Sequence, residues 1–478
     1  MMRKKGSVTV FLTLILSLLL SLICASIESV RMASARTQIL NGMDIGLYSL
    51  FGQYDKELLT DYDLFALDGS GGGGQLDLAA VCDELEAYMN PVLKQNSQKL
   101  TLCQSGLTGY RLLTDQKGEA FYQQIVGYMQ ETLGSQGIQL LLGRMSERQE
   151  KTAQADQSAN QAQSKGSIDR YDLEMNQASE KSQQAAEEAQ VVPQAPPAKN
   201  PITIMKRIMK RGVLELVLPG GNGLSTKEIE KGTLVSGRGL QQGMEMPDGM
   251  TVENSYTSEV LFQQYLMEHL GSYAEPSSAG LAYQMEYVFG GKNSDEDNLK
   301  AVASKLLFIR EGVNFACLMA DNVKRSEAQA LATAIASGFL VPPAAVIIEA
   351  ALILCWAFAE SVLDVRELFA GGRIPLVKSS GDWQISLENL PDLMEGLDSM
   401  RRNDEKGMSY KDYLQVLVLT VSKEKKVMRA MDMIENTIRE KGRKNFCMDS
   451  CIVALEAFAD VKANKKKDFQ VIRQYCYE

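Results

Sequence analysis

From Val8 to Ile27 the chain reads VTVFLTLILSLLLSLICASI, twenty residues without a charge, with Arg3, Lys4 and Lys5 before it and Glu28 after it. Twenty residues at 1.5 Å rise make about 30 Å of helix, the thickness of a bilayer's hydrocarbon core. The basic residues lie on the N-terminal side. The positive-inside rule therefore predicts a cytoplasmic N-terminus and an exterior location for everything after Glu28.

The helical pattern does not stop at Glu28. Met32, Ala35, Ile39, Met43, Leu47 and Leu50 recur at three- and four-residue spacing, while Arg31, Arg36 and Asp44 fall on other faces. No proline interrupts residues 7–52, and Gly42 and Gly46 are the weak points. The spacing predicts one helix of about 45 residues, half in lipid and half packed on a domain. Within the apolar half, Thr9, Thr13, Ser17, Ser21 and Ala25 recur every four residues and form a ridge of small side chains on one face. Such ridges let membrane helices approach closely, with hydroxyls available for bonds across the contact. The alternative use of those hydroxyls is bonding to carbonyls of their own helix.

A cleaved signal peptide fits this N-terminus less well. Its apolar region is usually about 7–15 residues long, and the A-x-A match at Ala33-Ser34-Ala35 comes late, after Glu28 and Arg31. A lipoprotein site needs a small residue before its cysteine, whereas Ile23 precedes Cys24. Lys4-Lys5-Gly6-Ser7-Val8-Thr9-Val10-Phe11 resembles the processing site of type IV pilin-like proteins, particularly the minor pseudopilins of tight-adherence (Tad) pilus systems. The resemblance implies a cut between Gly6 and Ser7. The family pattern carries a Glu at the fifth position after the cut, where this chain has Phe11. The large tip pseudopilin of type II secretion systems also lacks that Glu.

Further along, Tyr62–Leu67 reads as a short strand stopped by Gly69-Ser70 and the Gly71–Gly74 run. Residues 76–90, ended by Pro91, and 119–145 have helical periodicity. Between Ser146 and Gln190 the large apolar residues are Ile168, Tyr171, Leu173 and Met175 alone, which predicts a solvated helix or a spacer, closed by Pro193, Pro196, Pro197 and Pro201. Ile202–Leu218 is amphipathic and basic and reads as a surface helix, and 257–270, 279–289 and 297–337 read as helical. Val341–Ala359 is strongly apolar, but Glu349 sits inside it, and a mid-membrane carboxylate is costly. That stretch is predicted to be a buried core helix. Trp383–Leu390 looks strand-like, Ser409–Val421 and Lys423–Glu440 look helical, and Val427, Met431, Ile434 and Ile438 form one stripe. Cys451, Val453, Leu455 and Ala457 alternate, a turn falls at Asn464–Lys467, and Phe469, Val471, Arg473, Tyr475 and Tyr477 alternate back. That is a hairpin pattern, although the first strand also fits a helix.

The expected organisation is a leader (1–6), a pilin-like transmembrane and continuing helix (7–53), a first exterior α+β part (54–145), a polar spacer (146–200) and a main exterior α+β domain (201–478). The fold class is α+β: a long N-terminal transmembrane helix continuing into a mostly helical exterior region with small β elements.

Chemistry is scarce. The balance of 50 Lys+Arg against 60 Asp+Glu leaves −10, so no basic face supports nucleic-acid binding. His269 is the lone histidine, which argues against a Ser-His-Asp or Cys-His arrangement and excludes a site with two histidine ligands within one chain. The eight cysteines lack the density of a disulfide scaffold. Cys447-x3-Cys451 is their one close pair, adjacent if helical and separated if on a strand. Gly237-x-Gly239-x-x-x-Gly243 misses the dinucleotide spacing, and Gly291-Lys292 lacks the upstream glycine of a phosphate loop. Ser294-Asp295-Glu296-Asp297 reads as a helix N-terminus. Glu360 and Asp364 share a helix face and, with Arg366, read as structural ion-pair partners.

Several segments together resemble an uncharacterised family of membrane-anchored proteins from Gram-positive anaerobes, often grouped with tight-adherence systems. They are Ile27-Glu28-Ser29-x-Arg31, Asn200-Pro201-Ile202, Glu286-Tyr287-x-x-Gly290-Gly291-Lys292, Arg310-Glu311-x-x-Asn314, and Trp356-x-x-Ala359-Glu360-Ser361-x-x-Asp364-Val365-Arg366 with Gly371-Gly372-x-Ile374-Pro375-Leu376 beyond it. The expectation is a structural or assembly protein in the cell membrane, with pilus or secretion subunits as partners. No catalytic residues, cofactor, metal, nucleic acid or small-molecule substrate are expected, and the alternative is a tethered surface-binding module.

Overall fold

A computed structural model describes residues 5–94, 100–165, 201–218, 223–244, 255–338, 344–376, 380–393, 407–463 and 467–477, with single positions 171, 173, 177, 180, 246 and 378. The fold is α+β. By contact the chain divides into two compact units: Met1–Tyr128 with Gly237–Glu253 and Ile438–Glu478, and Met129–Ser236 with Asn254–Thr437.

The first unit is built on α1, Lys5–Phe51, a single unbroken helix of 47 residues and about 70 Å. Its two halves differ in what covers them. From Val8 to Ile27 the large apolar side chains are exposed, Leu12 at 65% and Leu18 at 67%. In the second half Ala35, Ile39, Met43, Leu47, Leu50 and Phe51 are buried, the stripe that the periodicity predicts. At about 2 kcal/mol for each large side chain, this face contributes on the order of 10 kcal/mol against chain entropy.

Under that stripe lies an antiparallel sheet. Its central strand is β3 (Cys451–Ala463), paired with β2 (Leu100–Leu112) on one edge and with β4 (Lys467–Cys476) and the two-residue β1 (Leu67–Asp68) on the other. Leu455, Ala457, Ala459 and Val461 of β3 are fully buried, in one cluster with the α1 stripe. Phe469, Val471, Tyr475 and Tyr477 join that cluster from the returning strand. The Phe51 ring lies 4.8 Å from both Tyr475 and Tyr477, and Arg473 pairs with Asp44 at 3.0 Å. The helix Leu78–Lys94 packs beside α1 and over β2. Its close approach explains Gly46, where a Cβ would stand 2.6 Å from Met89 Cγ.

Several expectations are corrected here. Tyr62 closes a short helix, Lys56–Tyr62, and Asp63 turns left-handed at φ 51°, so the strand is Leu67–Asp68 only. Pro91 lies inside Leu78–Lys94 instead of ending it: the ring costs a hydrogen bond, but the buried stripe of Leu85, Met89 and Leu93 continues past it. No periodicity in the sequence predicts the 13-residue β2. Cys451–Ala463 is a strand, as the hairpin pattern predicts, and not the alternative helix, and of the expected turn residues 464–466 lie outside the described ones.

The second unit is helical. Ala345–Phe369 is its axis, mostly buried, with Asp295–Ala320 and Asn322–Gly338 packed on it. It satisfies a membrane helix's length and hydropathy, yet 78% of its apolar window is covered by protein, as its reading as a core helix requires. The long helix expected over 297–337 breaks at Asp321, whose carboxylate accepts from Val323 and Lys324 N–H. Likewise Ile202–Leu218 divides into Pro201–Met209 and Val213–Val217, and 279–289 is helical only over Gln284–Gly290. Trp383–Leu390 forms no ladder; it leads into a 3₁₀ turn at Leu387–Asp392.

The polar stretch after Ser146 extends the helix Asp115–Lys165. It is not merely solvated: Ala155 and Ala159 are buried, and a Cβ on Gly312 would meet Ala159 Cα at 2.2 Å. Small side chains here allow contact between helix backbones. The rest of the expected spacer lies outside the described residues apart from single positions.

Candidate functional site

Two features draw attention: the uncovered half of α1, and a polar network inside the second unit. On α1, Gly6 and Ser7 lie in the first turn. The ridge hydroxyls bond within the helix: Thr13 Oγ1 donates to Val10 O at 2.9 Å and Thr9 O at 3.0 Å, Ser17 to Leu14 O at 2.9 Å, and Ser21 to Leu18 O at 2.8 Å. Their donors are used locally, so what the ridge offers a neighbour is close approach more than hydrogen bonds. Ala25, on the same uncovered half, adds no polar group.

The buried network begins with helix spacing. Arg310 and Asn314 are four apart on Asp295–Ala320, and Glu360, Ser361 and Asp364 share a face of Ala345–Phe369. Arg310 grips Asp364 Oδ2 through Nε (3.0 Å) and Nη2 (2.9 Å), while Nη1 donates to Pro375 O (3.0 Å), Leu376 O (2.9 Å) and Tyr413 Oη (3.3 Å). Lys378 bridges the two acids, 2.6 Å from Asp364 Oδ1 and 2.5 Å from Glu360 Oε1. Asn314 Nδ2 donates to Asp364 Oδ2 and Ser361 Oγ, and the Glu360 carboxylate accepts from Gln384 and Ile385 N–H.

Two cations and two anions, all essentially inaccessible, make a neutral and hydrogen-bonded cluster. Burial alone would raise the Asp364 carboxyl, but Arg310 and then Lys378 outweigh it and hold the group below its ordinary value. Burial likewise works against the Arg310 guanidinium, and Asp364 more than compensates. Trp356 donates to Ile385 O at 2.7 Å and meets Trp383 edge-on at 5.8 Å, so both tryptophans of the chain sit beside this cluster. Arg366 faces elsewhere and donates to the carbonyls of Leu216 and Leu218.

The other singled-out residues take structural places too. Glu286 is fully buried, with Oε1 accepting from Tyr273 N–H (2.8 Å) and Tyr410 O–H (2.6 Å). Desolvation pushes its carboxyl up to about 7. Tyr287 donates to Asp432 at 2.7 Å. Gly291 is left-handed (φ 62°) and ends its helix, with the Arg429 guanidinium where a side chain would stand. Ser294 caps Asp295–Ala320, and Asp295 accepts from Ala282 and Tyr283 N–H. His269 stacks on Tyr265 at 4.0 Å. Desolvation pushes the buried Cys355 thiol up to about 12. Among the described residues no group of three or more His, Cys, Asp or Glu side chains is placed to hold a metal ion.

The network's residues fall within a stretch that a family model recognises. Residues 193–463 match the family of unknown function DUF5702. The chain belongs to that family. No curated protein and no solved structure matches it. The DUF5702 stretch contains the ionic cluster, Glu286 and β3, while α1, β2 and β4 lie outside it. Arg310, Asn314, Glu360, Ser361 and Asp364 lie in separate sequence motifs, and the fold brings them together. Lys378 and Tyr413 join them from distant segments with no local signal.

Proposed function

We propose that this chain is a single-pass, pilin-like membrane protein, anchored by residues 8–27, that acts as a structural or assembly component of a Tad-type pilus or secretion apparatus. The observation that carries the reading is α1 itself. One continuous helix leaves its apolar half uncovered and lays its other half across an antiparallel sheet. An exposed apolar surface of that size belongs in lipid or against other subunits. Arg3, Lys4 and Lys5 favour a cytoplasmic N-terminus, with the two folded units outside. The buried cluster is neutral and internally paired, which supports a role in holding the helices together and not in catalysis.

A second reading, a tethered binding module, is favoured by a cleft of about 560 Å³ in the second unit, lined by Phe315, Met319, Val346 and Ile353 with Arg325 and Glu349 among them. N-terminal sequencing of the protein from membrane and medium fractions tests the pilin-like reading. A membrane-bound chain starting at Ser7 supports it. A released chain starting at Arg36 refutes it.

A further inference from the structure

Cys447 and Cys451 flank a single 3₁₀ turn, Met448–Ser450, at the entrance to the central strand β3. The turn is drawn tight around one oxygen: Cys447 O accepts from Ser450 N–H at 3.1 Å and from Ser450 Oγ at 2.7 Å. Cys451 Sγ reaches back to the same oxygen, at 3.7 Å. The second sulfur is thus folded against the first cysteine's own peptide, an arrangement that neither the helix nor the strand reading of the sequence anticipates. The two thiols are also unlike each other. Cys451 is fully buried, while Cys447 is partly exposed and its sulfur lies 3.3 Å from Arg439 Nη2. That guanidinium is fixed by a further bond from Nε to Phe446 O at 2.7 Å. The thiolate is the attacking species in thiol–disulfide exchange, and of these two sulfurs the partly exposed one, beside a fixed cation, is the one that an external disulfide reaches first.

We propose that Cys447 and Cys451 are a dithiol that closes to a disulfide on reaction with an external disulfide, Cys447 attacking and Cys451 resolving. Cys447 thiolate attacks one sulfur of the oxidant and releases its other half as a thiolate. Cys451 then gives up its proton, attacks the Cys447 sulfur and expels the second half. Two protein thiols and one external disulfide become one protein disulfide and two external thiols. The bond closes a loop at the start of β3, where Asp449 holds Arg238 at 2.5 Å and accepts from Gln241 N–H, so oxidation fastens the turn on which those contacts depend.

The test uses the full-length chain in detergent, treated with oxidised glutathione, then denatured, alkylated and digested with trypsin. Peptide 445–462 contains these two cysteines and no other. The expected result is a loss of both alkyl labels and a mass lower by two hydrogens, reversed by a reductant. In Cys451→Ser, a glutathione adduct on Cys447 accumulates instead. Full alkylation of both cysteines after treatment overturns the proposal, and so does a stable glutathione adduct on Cys447 in the unsubstituted chain.

Discussion

Replacing Arg310 by Met keeps most of the side chain's length and removes its charge from the centre of the helical unit. Four charges balance there, Arg310 and Lys378 against Glu360 and Asp364, so Arg310→Met leaves one buried negative charge in excess. It also strips the carbonyls of Pro375 and Leu376 of their shared donor. Breaking one side of a buried pair costs roughly 3–5 kcal/mol, and each orphaned acceptor adds a desolvation cost of its own. A loss of about 4 kcal/mol corresponds to a fall in Tm on the order of 10 °C. The assay is denaturant or thermal unfolding followed by intrinsic fluorescence, which reports locally because Trp356 and Trp383 adjoin the cluster. Arg310→Met combined with Asp364→Leu restores neutrality and leaves Lys378 paired with Glu360, so the double variant recovers at least half of the loss. An Arg310→Met chain within about 1 kcal/mol of the parent refutes the assignment of the cluster as the clasp of this unit.

Two further outcomes follow from the same geometry. Because burial raises the Glu286 carboxyl from 4.5 to about 7, the folded chain keeps a proton that the unfolded chain loses, so stability falls as pH rises from about 4.5 to about 7 and then levels. Glu286→Gln removes that slope, and its stability relative to the parent improves by roughly 3 kcal/mol between pH 4.5 and 8; a difference independent of pH, measured by denaturant titration at both ends, contradicts it. On α1, changing Thr13, Ser17 and Ser21 together to Leu fills the small-residue ridge and lowers recovery of co-purifying membrane proteins several-fold, whereas unchanged recovery removes the ridge as a packing surface.

The legible parts of the fold were those where one periodicity runs without interruption. The α1 stripe, the helix Lys423–Glu440 and the alternation of β3 and β4 all keep their period through to the end of the element. By contrast, β2 is illegible because two of its three register shifts, between Leu102 and Gln104 and between Leu107 and Gly109, put an extra residue into the strand and break its alternation, and because Gly106 and Gly109 weaken its strand character. Trp383–Leu390 misleads for another reason. Its apolar spacing looks strand-like, but the Gln384 and Ile385 N–H groups go to the Glu360 carboxylate and not to a neighbouring strand. In the ionic cluster, four-residue spacing marked which acids share a face. Which cations meet them depends on chain returning from 14 residues beyond Asp364, at Lys378, and no local pattern encodes that.

The proposed function requires the folded units to lie on the exterior side of the membrane. Cys103 and Cys476 are exposed on the sheet strands, and Cys24 lies within the apolar half of α1. Intact cells are treated with a membrane-impermeant maleimide, and the protein is then recovered from the membrane fraction for mapping of the labelled cysteines. A single-pass anchor with an exterior domain predicts label on Cys103 and Cys476 before the membrane is broken, and none on Cys24. Label on Cys103 and Cys476 only after lysis would put the folded units in the cytoplasm and contradict the account.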